Sequence, residues 1–277
     1  AAGGCVRTDN EVTNIMVDGD GVRGVVLASG EEIFAPIVSS NVHPRTTLLD
    51  MVEANNLDPI YRDQWVKQPR RGSAFKMALA LDALPRFAAA PPGLEVPFAG
   101  CQFRLAPTMD YMERAYDDAK LGYPSQRPIF LGLTPTVSDP SVAPAGKHLM
   151  SVNVWHAPTR LSQGSWAEQR ETFGQHCIDV MSEYIPNLKD ILLDHRFLSP
   201  QDLEDEFGLL DANIMHLDMM PSRMFGLRPQ AGWSDYRTPI NGLYLCGSGT
   251  WPGGTVSAVP GHNASARILK DLSVRKD

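Results

Sequence analysis

The sequence predicts a mixed α/β (α+β) fold in two lobes, with the chain leaving the first lobe and re-entering it near its end. Three observations carry this. Short β-branched segments separated by glycine turns fill the first forty residues, strand-like and helix-like stretches alternate from about 70 to 235, and a glycine-dense segment follows a short apolar run after residue 242. With 277 residues, 43% of them hydrophobic and 21% charged, the chain can bury a large core.

The opening segments read as a β-meander: Val6-Arg7-Thr8, Val12 to Val17, Val22 to Leu27 and Glu32-Ile33-Phe34. Asp18-Gly19-Asp20-Gly21 between two such runs is a strong hairpin signal. Gly19, Gly21 and Gly24 also spell G-x-G-x-x-G. That pattern binds a dinucleotide only where it leaves a strand and opens a helix, and here Val25-Val26-Leu27 continues as strand, so a hairpin is expected. Ala35 to Ser40 reads as a further strand and Pro44 to Val52 as a helix.

Ser73 to Leu81 carries one charge and reads as a largely buried strand, and Leu84 to Pro97 as loop. Gln102 to Leu105, Pro128 to Leu133 and His148 to Val154 read as strands, and Thr108 caps a helix running to Lys120. Ser165-Trp166-Ala167-Glu168 is a capping box, followed by Phe173, Cys177, Val180, Met181 and Tyr184 at helical spacing. Ser199-Pro200-Gln201-Asp202 opens another helix that Gly208 ends. Gly242 to Gly247 is a short buried strand, and His262 to Leu269 a helical tail.

Composition excludes some functions. A net charge of −7, with Pro69-Arg70-Arg71 as the densest basic stretch, is wrong for a nucleic-acid surface. There is no apolar run of the length a membrane span needs, about 18 residues. Cys5, Cys101, Cys177 and Cys246 lack CxxC spacing and are expected to be buried thiols of a cytoplasmic protein. The seven histidines show no HExxH or other ligand spacing, and His176 beside Cys177 points to a different helix face, so no metal site is expected. Gly247-Ser248-Gly249 is out of frame for a nucleophile elbow, and Glu204, Asp205 and Glu206 read as a solvated helix face.

Gly247, Gly249, Gly253 and Gly254 lie within eight residues behind a strand. Such a segment admits a flat or anionic ligand close to the backbone, and a following helix start favours negative charge. A tightly packed glycine hairpin is the alternative. The spacing G-x-G-x-x-x-G, so near the end of the chain, is not that of an opening dinucleotide βαβ unit.

Gly242-Leu-Tyr-Leu-Cys-Gly-Ser-Gly-Thr-Trp-Pro-Gly-Gly254 resembles the C-terminal flavin-contacting motif of phytoene-desaturase-like FAD-dependent oxidoreductases, a branch of the flavin amine-oxidase superfamily. Within that branch the chain is similar to the phytoene dehydrogenase-related type, also described as pyridine nucleotide-disulfide oxidoreductase domain-containing protein 2. Val22 to Leu27, Ile37 to Asn41, Ser138 to Gly146, Asn213-Ile-Met-His216 and Leu227-Arg-Pro229 resemble further segments of the family in the family's order. The likeness covers nearly the whole chain and only the C-terminal half of such proteins. Carotenoid desaturases of this kind carry His where this chain has Trp251 and Gly where it has Thr255, which puts a carotenoid-like substrate in doubt but not flavin binding.

The resemblance implies a partial FAD/NAD(P)-binding domain made of 1–69 and 236–277, with a mixed-sheet substrate domain over 70–235. It implies Val12, Ser39 and Ser40 on the adenosine side of FAD and Gly247, Ser248 and Gly249 near the ribityl phosphate. Trp251, Pro252, Gly253, Gly254, Thr255 and Val256 would border the flavin ring, with His216 where the substrate pocket meets it. From the residues alone, His216 also reads as a hydrogen-bonded structural histidine, and Trp251 as packing on Pro252. Asp211 and Asp218 flank His216 without an assigned role. The implied activity of the full-length protein is oxidation of an apolar or amine substrate by hydride transfer to flavin, the fragment alone being inactive and binding FAD weakly or not at all. The alternative is a flavin-free interaction or scaffold protein of the same fold. The expected partner is a small apolar molecule and not a nucleic acid. Self-association and peripheral membrane contact are compatible with a cytoplasmic location.

Overall fold

Alternating apolar residues and an Asp-Gly turn put β1 (Val12–Asp18) and β2 (Gly21–Leu27) into an antiparallel hairpin closed by the Asp18–Gly21 pair, and β3 (Glu32–Phe34) pairs with β2. In this computed structural model, residues 3–19, 21–68, 74–254 and 256–274 are described. Gly24 belongs to the hairpin: its φ is +149°, and a Cβ there would collide with the carbonyl of Ile33. Val6 to Thr8, expected as strand, is not one. Val6 is 90% exposed, and the segment is tied instead by a bidentate pair from Arg7 to Glu31 at 2.9 and 2.7 Å.

The next strand is shorter than expected: β4 covers Val38–Ser40, and Pro36 upstream of it has no N–H to give a ladder. Past it the chain makes a wide helical turn, Thr46–Asp50, closed by Met51 N–H on the Thr46 carbonyl. Helix α1 (Pro59–Val66) starts under Asp58, whose carboxylate accepts from the amides of Ile60 and Tyr61. It buries Tyr61 and Trp65 among Ile15, Val22, Leu48, Val52 and Leu57.

The chain divides into two compact units, Ala1–Arg70 with Met215–Asp277, and Arg71–Ile214. The second unit is an antiparallel five-stranded sheet with helices. In chain order it comprises β5 (Ala74–Leu81), α2 (Glu95–Gly100), β6 (Phe103–Leu105), α3 (Met109–Lys120), β7 (Ile129–Leu133), β8 (His148–Trp155), α4 (Trp166–Ser182), α5 (Leu188–Ile191), β9 (Leu192–Leu198) and α6 (Pro200–Phe207). The strand order is β6-β7-β8-β5-β9. Central β5 turns Phe75, Met77, Leu79 and Leu81 into a core shared with Phe173, Cys177, Ile178 and Met181 of α4. Phe75 meets Phe173 edge to face at 5.1 Å. Both capping boxes form, at Ser165–Glu168 and Ser199–Asp202, and Gly208 ends α6 at φ +62°.

Two elements of this unit escape the sequence pattern. Part of the expected loop 84–97 enters α2, and β9 is an edge strand whose Asp194-His195-Arg196 centre hides its pairing with β5. Buried cysteines were expected at all four positions, yet Cys5 and Cys101 are exposed, Cys246 is half-buried, and Cys177 alone is buried.

The chain then re-enters the first unit with β10 (Leu243–Leu245), buried at all three positions, and α7 (Val259–Val274). Residues 215–235, placed with the second lobe in the sequence-based division, group with the first unit in the structure. Leu217 and Trp233 pack into its core, and Arg228 binds its loops.

Candidate functional site

β4 and β10 run parallel and in register, Val38 beside Leu243, Ser39 beside Tyr244 and Ser40 beside Leu245. Their carboxyl ends therefore face one side, the side on which parallel α/β sheets bind ligands. Beyond those ends the two chains stay in contact. Cys246 N–H donates to the Ser40 carbonyl at 2.8 Å, and a Cβ on Gly247 would collide with the Asn41 carbonyl. A side chain at Gly249 would strike the Pro44 ring. The glycines thus let two backbones touch, which no other residue permits here.

Buried Thr250 closes the turn, giving both its amide and its hydroxyl to the Gly247 carbonyl at 3.0 and 2.9 Å. Ser40, also buried, shares a 2.8 Å hydroxyl–hydroxyl hydrogen bond with Thr47. Ser39 is exposed on the same strand.

Arg228 holds this loop from within. Its side chain is wholly buried, and its guanidinium donates to the carbonyls of Ser248 at 2.8 Å, Thr250 at 3.2 Å, Met215 at 2.7 Å and Leu217 at 3.4 Å. Burial, then Arg223, lowers its pKa to about 10, with Asp218 opposing.

His216 lies between two of those carbonyls, with φ at +60°. Its ring stacks on His43 at 5.7 Å and 24°, and its Nδ1 is buried without a hydrogen-bond partner. Burial, then the Arg228 cation, pushes its pKa down, which favours the neutral imidazole. His43 Nδ1 accepts the Arg45 amide at 3.1 Å and so carries no proton.

Trp251 packs against Phe225, ring centroids 4.6 Å apart and tilted by 36°. The Trp251–Pro252 and Arg228–Pro229 bonds are cis. Gly253, at φ +98°, lies near Met219, and a side chain at Gly254 would meet the Met215 sulfur. Val256 is fully exposed, and Thr255 lies outside the described residues. Val12 is in the same unit but on the other sheet, paired with Leu27.

The sequence-identified residues Ser40, Gly247 to Gly249, Trp251 to Gly254 and His216 therefore meet through shared contacts. Arg228, His43 and Phe225 were given no role from sequence. The signal touching Arg228 was the family likeness of Leu227-Arg-Pro229, and for the others there was none beyond residue type. Asp211 and Asp218 are both buried. A cleft of about 300 Å³ in this unit lies at the amino end of β10, lined by Arg237, Asn241, Gly242 and Asp271, away from the glycine loop. Among the described residues no cluster of His, Cys, Asp and Glu could hold a metal ion, and no helix is long and apolar enough to cross a membrane.

No protein-family model matches the chain. In sequence it is 36% identical over 280 residues to pyridine nucleotide-disulfide oxidoreductase domain-containing protein 2 of Rattus norvegicus, covering 98% of this chain and 48% of that protein. It is 27% identical over 278 residues to prolycopene isomerase 1, chloroplastic, of an Oncidium hybrid cultivar, covering 96% of this chain and 42% of that protein. In structure it is similar to an oxidoreductase from Methanosarcina mazei, with a TM-score of 0.55 and 18% identity over 97% of this chain and 50% of that one, a likeness of fold. The chain spans about half the length of the curated relatives it matches. It corresponds to the C-terminal half of pyridine nucleotide-disulfide oxidoreductase domain-containing protein 2 and its desaturase and isomerase relatives, and it belongs to that family.

Proposed function

We propose that the chain supplies one wall of an FAD site in an oxidoreductase that oxidises an apolar or amine substrate. The observation that carries this reading is the arrangement at the carboxyl ends of β4 and β10. Two parallel strands end in a glycine loop packed tightly on Asn41, Pro44 and Met215, and the buried Nδ1 of His216 beside it lacks a partner. A polar, partly anionic group fits beside such a place: His216 Nδ1 is there to meet it, and the start of α7 beyond the loop favours negative charge.

In this reading Gly247, Ser248 and Gly249 approach the ribityl-phosphate portion, and Trp251 to Val256 border the ring system. Ser39, Ser40 and Val12 lie on the adenosine side. These residues would hold FAD, which would supply the hydride-accepting chemistry. The protein's own contribution is positional. Arg228 fixes the loop, the Trp251–Phe225 pair offers an apolar aromatic surface, and neutral His216 offers Nδ1 to a hydrogen bond or a proton. The test is FAD uptake by the protein expressed from its complete reading frame, followed by absorbance and by a screen of apolar alcohols, amines and polyenes for bleaching of the flavin band. A colourless protein that takes up no added FAD fits a flavin-free scaffold instead.

A further inference from the structure

We propose that Arg228 is a positioning residue for His216, fixing the backbone on both sides of the imidazole and docking it on the glycine loop, so that Nδ1 faces the ligand held there. This rests on the flavin reading for the ligand's identity, but the positioning itself stands on geometry in the first unit.

One guanidinium accounts for both halves of the device. Its Nη2 donates to Met215 O, the carbonyl immediately before His216, and Nη1 and Nη2 reach Leu217 O, immediately after it. The same group donates from Nη2 to Ser248 O and from Nε to Thr250 O, in the loop that carries Gly247 and Gly249. His216 sits at φ +60°, an uncommon conformation for a side-chain-bearing residue. Arg228 holds the carbonyls on either side of it. With the backbone held and one ring face covered by His43, the Nδ1 of the imidazole is left without a partner.

Lysine cannot replace this arrangement. Its ammonium has three donors at one point, whereas the planar fork spans four carbonyls on two loops. The charged and titratable groups around the imidazole are Arg228 itself and the stacked His43, with Asp218 and Arg223 acting on Arg228. R228K keeps the positive charge and removes the fork, which separates positioning from electrostatics.

The experiment is histidine nitrogen NMR on the apoprotein from the complete reading frame, wild type and R228K, across the range around pH 6.5 where free histidine titrates. Thermal melting is followed in parallel. Wild type is expected to show one sharp neutral form of His216 throughout. R228K, still melting cooperatively, is expected to show broadened or doubled His216 signals and a titration midpoint moved back toward that of free histidine. An unchanged His216 spectrum and midpoint in folded R228K overturns the proposal. If R228K does not fold, wild type decides: a His216 ring exchanging between tautomers and titrating as a free histidine overturns it, and a single neutral form supports it. Because no flavin enters this measurement, its outcome is separate from that of FAD uptake. A protein that binds no FAD yet shows the R228K effect loses the flavin reading and keeps the positioning role.

Discussion

Tyr236 donates its hydroxyl to the Trp251 carbonyl at 2.9 Å, and that same hydroxyl accepts Asn263 Nδ2 at 2.7 Å. The glycine loop is thereby tied to α7 through one phenol at the point where the loop turns into Pro252. Tyr236→Phe removes both hydrogen bonds and leaves the ring in place. It is expected to lower stability by about 1–2 kcal/mol, read by urea unfolding, and to weaken FAD uptake by more than that stability change alone accounts for. Unchanged uptake would separate the loop from the cofactor.

The Trp251–Phe225 contact bears on a different property. An aromatic pair at this spacing contributes about 0.5–1.5 kcal/mol beyond area burial. A double-mutant cycle with Phe225→Leu and Trp251→Leu is expected to show coupling of that order. Under the flavin reading, Trp251→Leu also changes which apolar substrates bleach the flavin.

Gly247→Ala places a methyl group against the Asn41 carbonyl. Relief requires β4 and β10 to separate beyond their ends, so a loss of about 1–3 kcal/mol is expected from overpacking, together with loss of FAD uptake. Gly146→Ala is the control, since Gly146 has positive φ but open space around it and lies in the second unit. It is expected to cost about 1 kcal/mol and to leave uptake intact.

Acidification should weaken the fold through two half-buried histidines. Burial lowers the pKa of His216, with Arg228 adding to it, and burial lowers that of His156, with Glu113 opposing. Below about pH 6.5, where the unfolded histidines take up protons, the folded ones do not until the pH reaches their depressed pKa values. The unfolded state then binds more protons, so stability falls as pH falls through that window and is fully present above it. Urea midpoints measured downward from pH 7.5 are expected to drop, and His216→Asn is expected to flatten part of the slope. A slope unchanged in that variant would remove His216 as a contributor.

The sequence carried local structure well where a short-range rule decides it. Ser165, Ser199 and Gly208 cap helices as their spacing predicts, and the pattern at Gly21 and Gly24 lies in a hairpin strand and not at a dinucleotide turn. It carried less where tertiary pairing decides. β9 takes its strand form from β5, although its middle residues are Asp194, His195 and Arg196. Val6 to Thr8 has strand-like residues and no strand to pair with. The site followed the same division. The glycines were visible because close approach demands that residue type. Arg228 was not, because its four carbonyl partners lie between 11 and 22 residues away and only the fold brings them together.

Whether the loop behind β10 is one wall of a flavin site is read from the visible absorption spectrum of the protein expressed from its complete reading frame, purified without added cofactor, beside its Gly247→Ala variant. Bands near 370 and 450 nm, approximate positions for bound oxidised flavin, are expected in the parent, with their loss in a folded variant. A colourless parent that takes up no added FAD, or a folded variant that keeps the full bands, would contradict it.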